Sequence, residues 1–131
     1  MKILLYTDGG TRGGNPGEGY GSYFASIETN LTQKFLKDRV EFGPCTNNEA
    51  EYRALIMGLK AVKDRFGSDI DLAVKTDSAL LVGQLRDIRA WQVKAQNLAP
   101  LWALARETKK QFRSCVIEKV LREEIVSVLG H

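Results

Sequence analysis

The chain has 131 residues, of which 44% are hydrophobic and 27% charged, and its net charge is +3. These values are ordinary for a globular protein, and we expect one domain over residues 1–131. No hydrophobic run approaches the ~20 residues that span a membrane, and Met1–Tyr6 is too short for a signal-peptide core, so we expect a cytoplasmic protein without a membrane partner. The small positive charge permits a nucleic-acid partner without requiring one. Cys45 and Cys115 have neither metal-ligand spacing nor a disulfide framework, which predicts two free thiols.

The first third of the chain predicts three antiparallel strands. A buried apolar strand ends at Asp8, and the glycine-rich residues 9–19 after it favour a loop that needs a permissive backbone. The turn-forming pair Thr29-Asn30 separates the other two strands. The three strands are expected at residues 2–7, 20–28 and 31–42.

A helix is predicted to begin after Thr46. The segment from Thr46 to Glu49 has the pattern of a capping box, in which Thr46 caps a backbone amide and Glu49 reaches back to the cap residue. Glu51 begins the inward-facing stripe of this helix, whereas Glu49 lies on a more polar face with Arg53. The stripe comprises Glu51, Ala54, Leu55, Gly58 and Val62. The register therefore makes Glu51 the candidate ligand and Glu49 a structural residue.

The remainder of the chain predicts the element order βααβα. Asp77 ends the first of these strands, which we expect to pair in parallel with the first strand of the chain. The elements are a strand, two helices, a strand and a final helix, at residues 70–76, 77–87, 97–111, 114–120 and from 123 onward. The predicted class is α/β, with a five-stranded mixed sheet, three strands antiparallel and the others parallel, and helices packed on it. Asp8 and Asp77 then lie at the C-terminal ends of adjacent strands, where ligand sites of open α/β sheets are found.

Three acidic residues, Asp8, Glu51 and Asp77, occur where an apolar element meets a polar turn or on the inward stripe of a helix. Carboxylates in such places need a cation, because an unpaired buried charge is too costly to keep ionised. Three that converge form an oxygen-rich site of the kind that Mg²⁺ or Mn²⁺ prefers.

Four motifs occur in order along the chain. They are Tyr-Thr-Asp-Gly-Gly from residue 6, Gly-Asn-Pro-Gly from residue 14 with Gly-Tyr-Gly from residue 19, Thr-Asn-Asn-Glu-Ala-Glu-Tyr from residue 46, and Thr-Asp-Ser from residue 76. In order and spacing, residues 1 to about 122 resemble a type 1 ribonuclease H of the compact bacterial and archaeal kind. The resemblance implies the ribonuclease H fold and a two-metal-ion endonuclease that cuts the RNA strand of RNA/DNA hybrids, leaving 5′-phosphate ends. It implies no obligate protein partner.

The resemblance also assigns residues. Asp8, Glu51 and Asp77 match three metal-binding, catalytic carboxylates of the family. The segments that contact nucleic acid are matched by Gly9, Gly10, Asn15, Thr46, Asn47 and Asn48. Trp91 lies in a polar segment, where either stacking on a sugar of the DNA strand or simple packing is consistent with the sequence.

The C-terminus departs from the family pattern. The family places a fourth carboxylate, an Asp, on the last helix, and Leu129 occupies that position here. Candidates for a replacement ligand are His131, its terminal carboxylate, and Glu124. We expect His131, the single histidine of the chain, to act as a ligand or proton-transfer group.

Two other functions remain open at this point. The chain could be a hybrid-binding module that has lost most catalysis with its fourth carboxylate, or a related nuclease that acts on another nucleic acid. Three intact carboxylates argue against the first, because phosphate binding uses cations rather than acids. The Thr46–Asn48 segment favours a hybrid substrate over other nucleic acids.

Overall fold

The structure, a computed structural model, describes residues 1–28 and 30–130, without side-chain detail for residues 30–35. Thr29, in the predicted turn, and His131, the predicted ligand, lie outside the described residues. The elements are β1 (Lys2–Arg12), β2 (Gly17–Ile27), β3 (Asn30–Cys45), α1 (Asn47–Phe66), β4 (Asp71–Thr76), α2 (Ala79–Leu85), α3 (Ala99–Lys109), β5 (Ser114–Lys119) and α4 (Arg122–Leu129).

The five strands form one mixed sheet in the order β3-β2-β1-β4-β5. β1 pairs with β2, and β2 with β3, in antiparallel fashion, whereas β4 is parallel to both β1 and β5. The predicted order of elements and the predicted mixed sheet are confirmed. β1 is the central strand and β4 is its parallel neighbour, so the two aspartates predicted to bind metal come from β1 and from the residue directly after β4.

The structure corrects the end of the first strand. β1 continues through Asp8 to Arg12 and pairs with β2 along this length, while its parallel pairing with β4 stops at Tyr6 opposite Lys75. The glycines after Asp8 therefore form strand, and the loop shrinks to a short turn in which Gly13 and Gly14 have φ of 76° and 130°. Asp8 lies two residues beyond Tyr6, the last residue of β1 that pairs with β4. It therefore lies at the point where β1 and β4 separate.

Helix α1 supports the site from one face of the sheet. Its predicted capping box is present: the Thr46 hydroxyl accepts from the Glu49 amide at 3.1 Å, and the Glu49 carboxylate accepts from the Thr46 amide at 2.8 Å. Of the predicted inward stripe, Ala54, Leu55, Gly58 and Val62 are buried, and Glu51 is half-buried. The helix packs on β1 and β2, in a core that includes Ile3, Leu5, Leu55, Leu59, Val62 and Val74. Each fully buried aliphatic side chain contributes about 1.5–3 kcal/mol. The first turn of α1 is thereby fixed against β1.

The last helix, α4, packs against β1 and β2 through Ile125, which is fully buried. This contact brings the C-terminal part of the chain to the edge at which Asp8 lies. The two cysteines are free, as predicted, and both are buried. Over the described residues, the helices lack the combination of length and apolar character that a membrane crossing requires.

Candidate active site

Three carboxylates from three elements converge at one end of the sheet. Asp8 comes from β1, Asp77 directly follows β4, and Glu51 lies in the first turns of α1. One oxygen of each lies within 4.8 Å of the others, and Asp8 is only 2% exposed. The structure therefore brings together the three residues that the sequence predicts as ligands. Such a set of hard oxygen donors fits Mg²⁺ or Mn²⁺.

The position of Glu51 depends on a close approach between β1 and α1. A Cβ atom on Gly9 would lie 2.3 Å from the carbonyl oxygen of Ala50, so only glycine permits this packing. The Gly9 amide donates a hydrogen bond of 2.7 Å to Oε1 of Glu51. This hydrogen bond links β1 to α1 directly through the candidate metal ligand Glu51.

The electrostatic environment of Glu51 shows how crowded the acids are. Burial raises the pKa of Glu51 to about 8, with further contributions from the charges of Asp8 and Asp77. The hydrogen bond from Gly9 and the charge of Arg122 oppose this rise without cancelling it. A cation placed among the three carboxylates would relieve the repulsion, and this supports the fit to a divalent ion.

Arg122 is the one basic side chain that the described residues place in ion pairs with this cluster. Its Nη1 atom lies 2.9 Å from Oδ2 of Asp8 and 3.2 Å from Oδ2 of Asp77. Its side chain is 47% exposed, whereas that of Asp8 is 3% exposed. Sequence reasoning missed this residue, because Arg122 and Asp8 are 114 positions apart and only the packing of α4 brings them together.

A comparison with known proteins agrees with this geometry. The sequence profile of the RNase H family matches residues 1–127. The chain belongs to the RNase H family. The profile match ends two residues before Leu129, the position at which the sequence analysis expects the fourth carboxylate of the family.

Relatives of known name or structure place the chain within the RNase H family. It is 40% identical to the bifunctional protein Rv2228c of Mycobacterium tuberculosis over 124 residues, which are 93% of this chain and 32% of the relative. It is 34% identical to ribonuclease HI of Halobacterium salinarum over 122 residues, 92% of this chain and 57% of that protein. The chain thus spans between about a third and three fifths of the length of these relatives.

Solved structures show the same fold. The N-terminal RNase H domain of Rv2228c superposes with a TM-score of 0.85 at 34% identity, covering 96% of this chain and 92% of that one. LC11-RNase H1, solved in complex with an RNA/DNA hybrid, superposes with a TM-score of 0.83 at 30% identity, covering 95% of this chain and 89% of that one. LC11-RNase H1 was isolated from compost by a metagenomic approach.

The RNase H segments predicted to contact nucleic acid meet beside the carboxylates. The backbone amide of Asn47 donates to Oδ1 of Asn15 at 2.9 Å, and the Thr11 hydroxyl oxygen lies 2.8 Å from Oδ1 of Asn47. The turn after β1 is therefore tied to the first residue of α1. Asn48 is exposed at this end of α1, while Thr46 is engaged in the helix cap.

Trp91 lies outside the carboxylate cluster. It is 47% exposed, its ring packs on Gly83, and its amide donates to the Gly83 carbonyl oxygen at 2.8 Å. The Arg86 guanidinium lies 5.7 Å from the centroid of the ring. The structure thus shows packing on α2, and stacking on a sugar remains a prediction.

The replacement for the fourth family carboxylate is not found among the described residues. The acidic cluster consists of Asp8, Glu51 and Asp77 in the part of the chain that the structure describes. Glu124 lies instead beside the Tyr6 hydroxyl, whose pKa is raised by burial and by this carboxylate. The role expected for His131 stays a prediction.

Proposed function

We propose that the protein is a divalent-metal-dependent endonuclease that hydrolyses the RNA strand of RNA/DNA hybrids. The observation that carries the proposal is the convergence of Asp8, Glu51 and Asp77 within 4.8 Å. Membership of the RNase H family supports the reaction class. The solved complex of LC11-RNase H1 with an RNA/DNA hybrid supports the substrate.

Asp8, Glu51 and Asp77 would hold two divalent ions, Mg²⁺ or Mn²⁺. When bound, such ions lower the pKa of the water that attacks phosphorus and stabilise the departing 3′ oxygen. The expected products carry 5′-phosphate and 3′-hydroxyl ends.

The three carboxylates form a negatively charged site whose geometry is preformed. Asp8 is buried in a central strand, which limits its motion, and the Gly9 amide holds one oxygen of Glu51 in place. Because the pKa of Glu51 is raised to about 8, this side chain would have to release its proton to solvent for cations to bind at neutral pH. Binding of the ions and ionisation of Glu51 are therefore coupled.

We assign recognition of the substrate to the polar residues that lie beside the three carboxylates. The linked residues Asn15 and Asn47 would offer their side-chain amides, and Gly10 its backbone, to sugar and phosphate oxygens, whereas the Gly9 amide already donates to Glu51. Choice of the RNA strand should depend on contacts to 2′-hydroxyl groups, because these distinguish RNA from DNA whatever the base sequence.

A second candidate function is a hybrid-binding module with little catalysis. The observation in its favour is Leu129, which stands where the family has an Asp and lines a groove with Tyr23 and Phe24 of β2. An apolar residue there cannot ligate a metal ion. A third possibility, a nuclease for another nucleic acid, has no structural observation in its favour.

A cleavage assay separates these functions. End-labelled RNA/DNA hybrid, RNA duplex and DNA duplex of one sequence are incubated with Mg²⁺, Mn²⁺ or a chelator, with Asp8→Asn as the inactive control. We expect cleavage of the RNA strand of the hybrid alone, and only with a metal ion. Tight binding of the hybrid without cleavage would favour the binding module, whereas preferential cleavage of another duplex would overturn the substrate assignment.

A further inference from the structure

The Arg122 guanidinium lies in the space between the carboxylates that divalent cations would enter. It donates from a single nitrogen, Nη1, to Oδ2 of Asp8 and to Oδ2 of Asp77. Nη1 fills the space between these two oxygens, so a metal ion bound there would have to replace it. Charge-assisted bonds to a carboxylate as buried as Asp8 are stronger than surface pairs, because water screens them less.

The surroundings of Arg122 allow it to leave this position. It is the first residue of α4, the preceding Leu121 is extended, and its own side chain is 47% exposed. The helix behind it is held by the fully buried Ile125. The guanidinium can therefore turn into solvent while α4 stays packed on the sheet.

We propose that Arg122 is an internal counter-ion of the site, which divalent cations must displace, so that it sets a low affinity for the metal. This inference rests on the proposed function, since it requires the three carboxylates to bind metal. In the metal-free protein Arg122 neutralises part of the charge of Asp8 and Asp77 and ties α4 to β1. On metal binding the guanidinium is exchanged for the cation. Among the described residues the site has three acids, where the family has four, and it carries one internal cation. Both features weaken its hold on divalent ions.

The test measures metal binding directly, without substrate. Mn²⁺ alone and Mg²⁺ alone are titrated calorimetrically into the wild type, Arg122→Gln, Arg65→Gln and Asp8→Asn at one pH and one ionic strength. Arg65→Gln removes the same charge from an exposed position in the last turn of α1. That position lies roughly 20 Å along the helix from Glu51, at 1.5 Å per residue, beyond the Debye length of about 10 Å at 0.1 M salt.

We expect Arg122→Gln to lower the Kd for Mn²⁺ at least ten-fold, Arg65→Gln to leave it unchanged, and Asp8→Asn to abolish binding. A purely structural role for Arg122 would instead lower the melting temperature by the same amount with and without Mn²⁺. The inference predicts that saturating Mn²⁺ restores the melting temperature of Arg122→Gln to that of the wild type. The Kd of Arg122→Lys for Mn²⁺ should lie between the values of the wild type and Arg122→Gln, because lysine keeps the charge.

The outcomes distinguish the two proposals. Binding to the wild type and to Arg122→Gln with Kd values within two-fold, together with no binding to Asp8→Asn, would overturn the counter-ion and leave the metal site intact. Absence of Mn²⁺ binding to the wild type and to Arg122→Gln alike would overturn the metal site and the counter-ion together.

Discussion

The side chain of Asp8 is the least exposed of the groups in its ion pairs, at 3%, and it lies between the other two acids and a guanidinium. A carboxylate in such a place keeps its charge only next to cations, because desolvation favours the neutral form. Arg122 supplies a positive charge beside Asp8, and in the proposed enzyme metal ions would supply it. In either state the buried charge of Asp8 is balanced by a cation.

Replacing Asp8 with Asn should abolish metal-dependent cleavage while the fold is kept. The amide has nearly the same shape but carries no charge to bind a cation, so the rate should fall at least 100-fold. Asp69→Asn, at an exposed aspartate paired with Arg113, is the control and should retain the wild-type rate. Rates are measured on the labelled hybrid, with circular dichroism to check folding. Near wild-type cleavage by Asp8→Asn would refute the assignment of the metal site.

The raised pKa of Glu51 predicts how the stability of the metal-free protein depends on pH. The folded state binds a proton at Glu51 up to about pH 8, whereas the unfolded chain releases it near 4.5. Between these values the folded state holds more protons, so the free energy of unfolding falls as pH rises, with a slope of at most about 1.4 kcal/mol per pH unit from this group.

Denaturant unfolding with a chelator present, from pH 5 to 9, measures this slope. Glu51→Gln, which cannot ionise, should show a flatter profile and a higher stability than the wild type at pH 8 and above. Identical slopes in the two proteins would show that Glu51 is ionised in the fold throughout.

At the scale of single elements, α1 decides which of two neighbouring glutamates reaches the site. The capping box holds Glu49 at the helix terminus, and the helical period then turns Glu51 toward Gly9. Both features could be predicted from the sequence, because capping signals and helical periodicity are local.

The functional difference between these glutamates is directly testable. Glu51→Gln should reduce cleavage at least 100-fold, because it removes a ligand charge. Glu49→Gln should leave cleavage within about three-fold of the wild type, since glutamine also completes a capping box. The two variants are matched controls for each other in one assay. A reversed pattern, with Glu49→Gln inactive and Glu51→Gln active, would contradict the register seen in α1.

The strand β1 shows where local patterns fail. Glycines after Asp8 favour a loop by propensity, yet they continue the strand as far as Arg12. The reason lies in tertiary packing: Gly9 must approach Ala50 of α1 closely, and Gly10 faces the ring of Tyr20. The sequence shows that a glycine allows many backbone conformations and close contacts. It does not show which neighbouring residue packs against that glycine in the fold.

At the scale of the whole molecule, the order of elements and the meeting of β1, β4 and α1 followed from local patterns and from the rules that govern parallel pairing. The contact of Arg122 with Asp8 did not, because it depends on how α4 packs on β1 and β2 over a separation of 114 residues. The predicted ligands Asp8, Glu51 and Asp77 lie on or next to elements whose order and pairing local rules constrain. Arg122 lies on α4, which contacts the sheet through side-chain packing, and its position could not be predicted in this way.

Because the three carboxylates come from separate elements, only the folded chain can bring them together, and metal binding should stabilise the whole molecule. At a Mn²⁺ concentration 100 times Kd, the free energy of unfolding should rise by about 2.7 kcal/mol. This corresponds to an increase in melting temperature of roughly 5–15 °C for a domain of this size. Thermal unfolding with Mn²⁺ and with chelator measures the difference. Asp8→Asn should show no increase, and an equal increase in that variant would place the stabilising ions elsewhere on the protein.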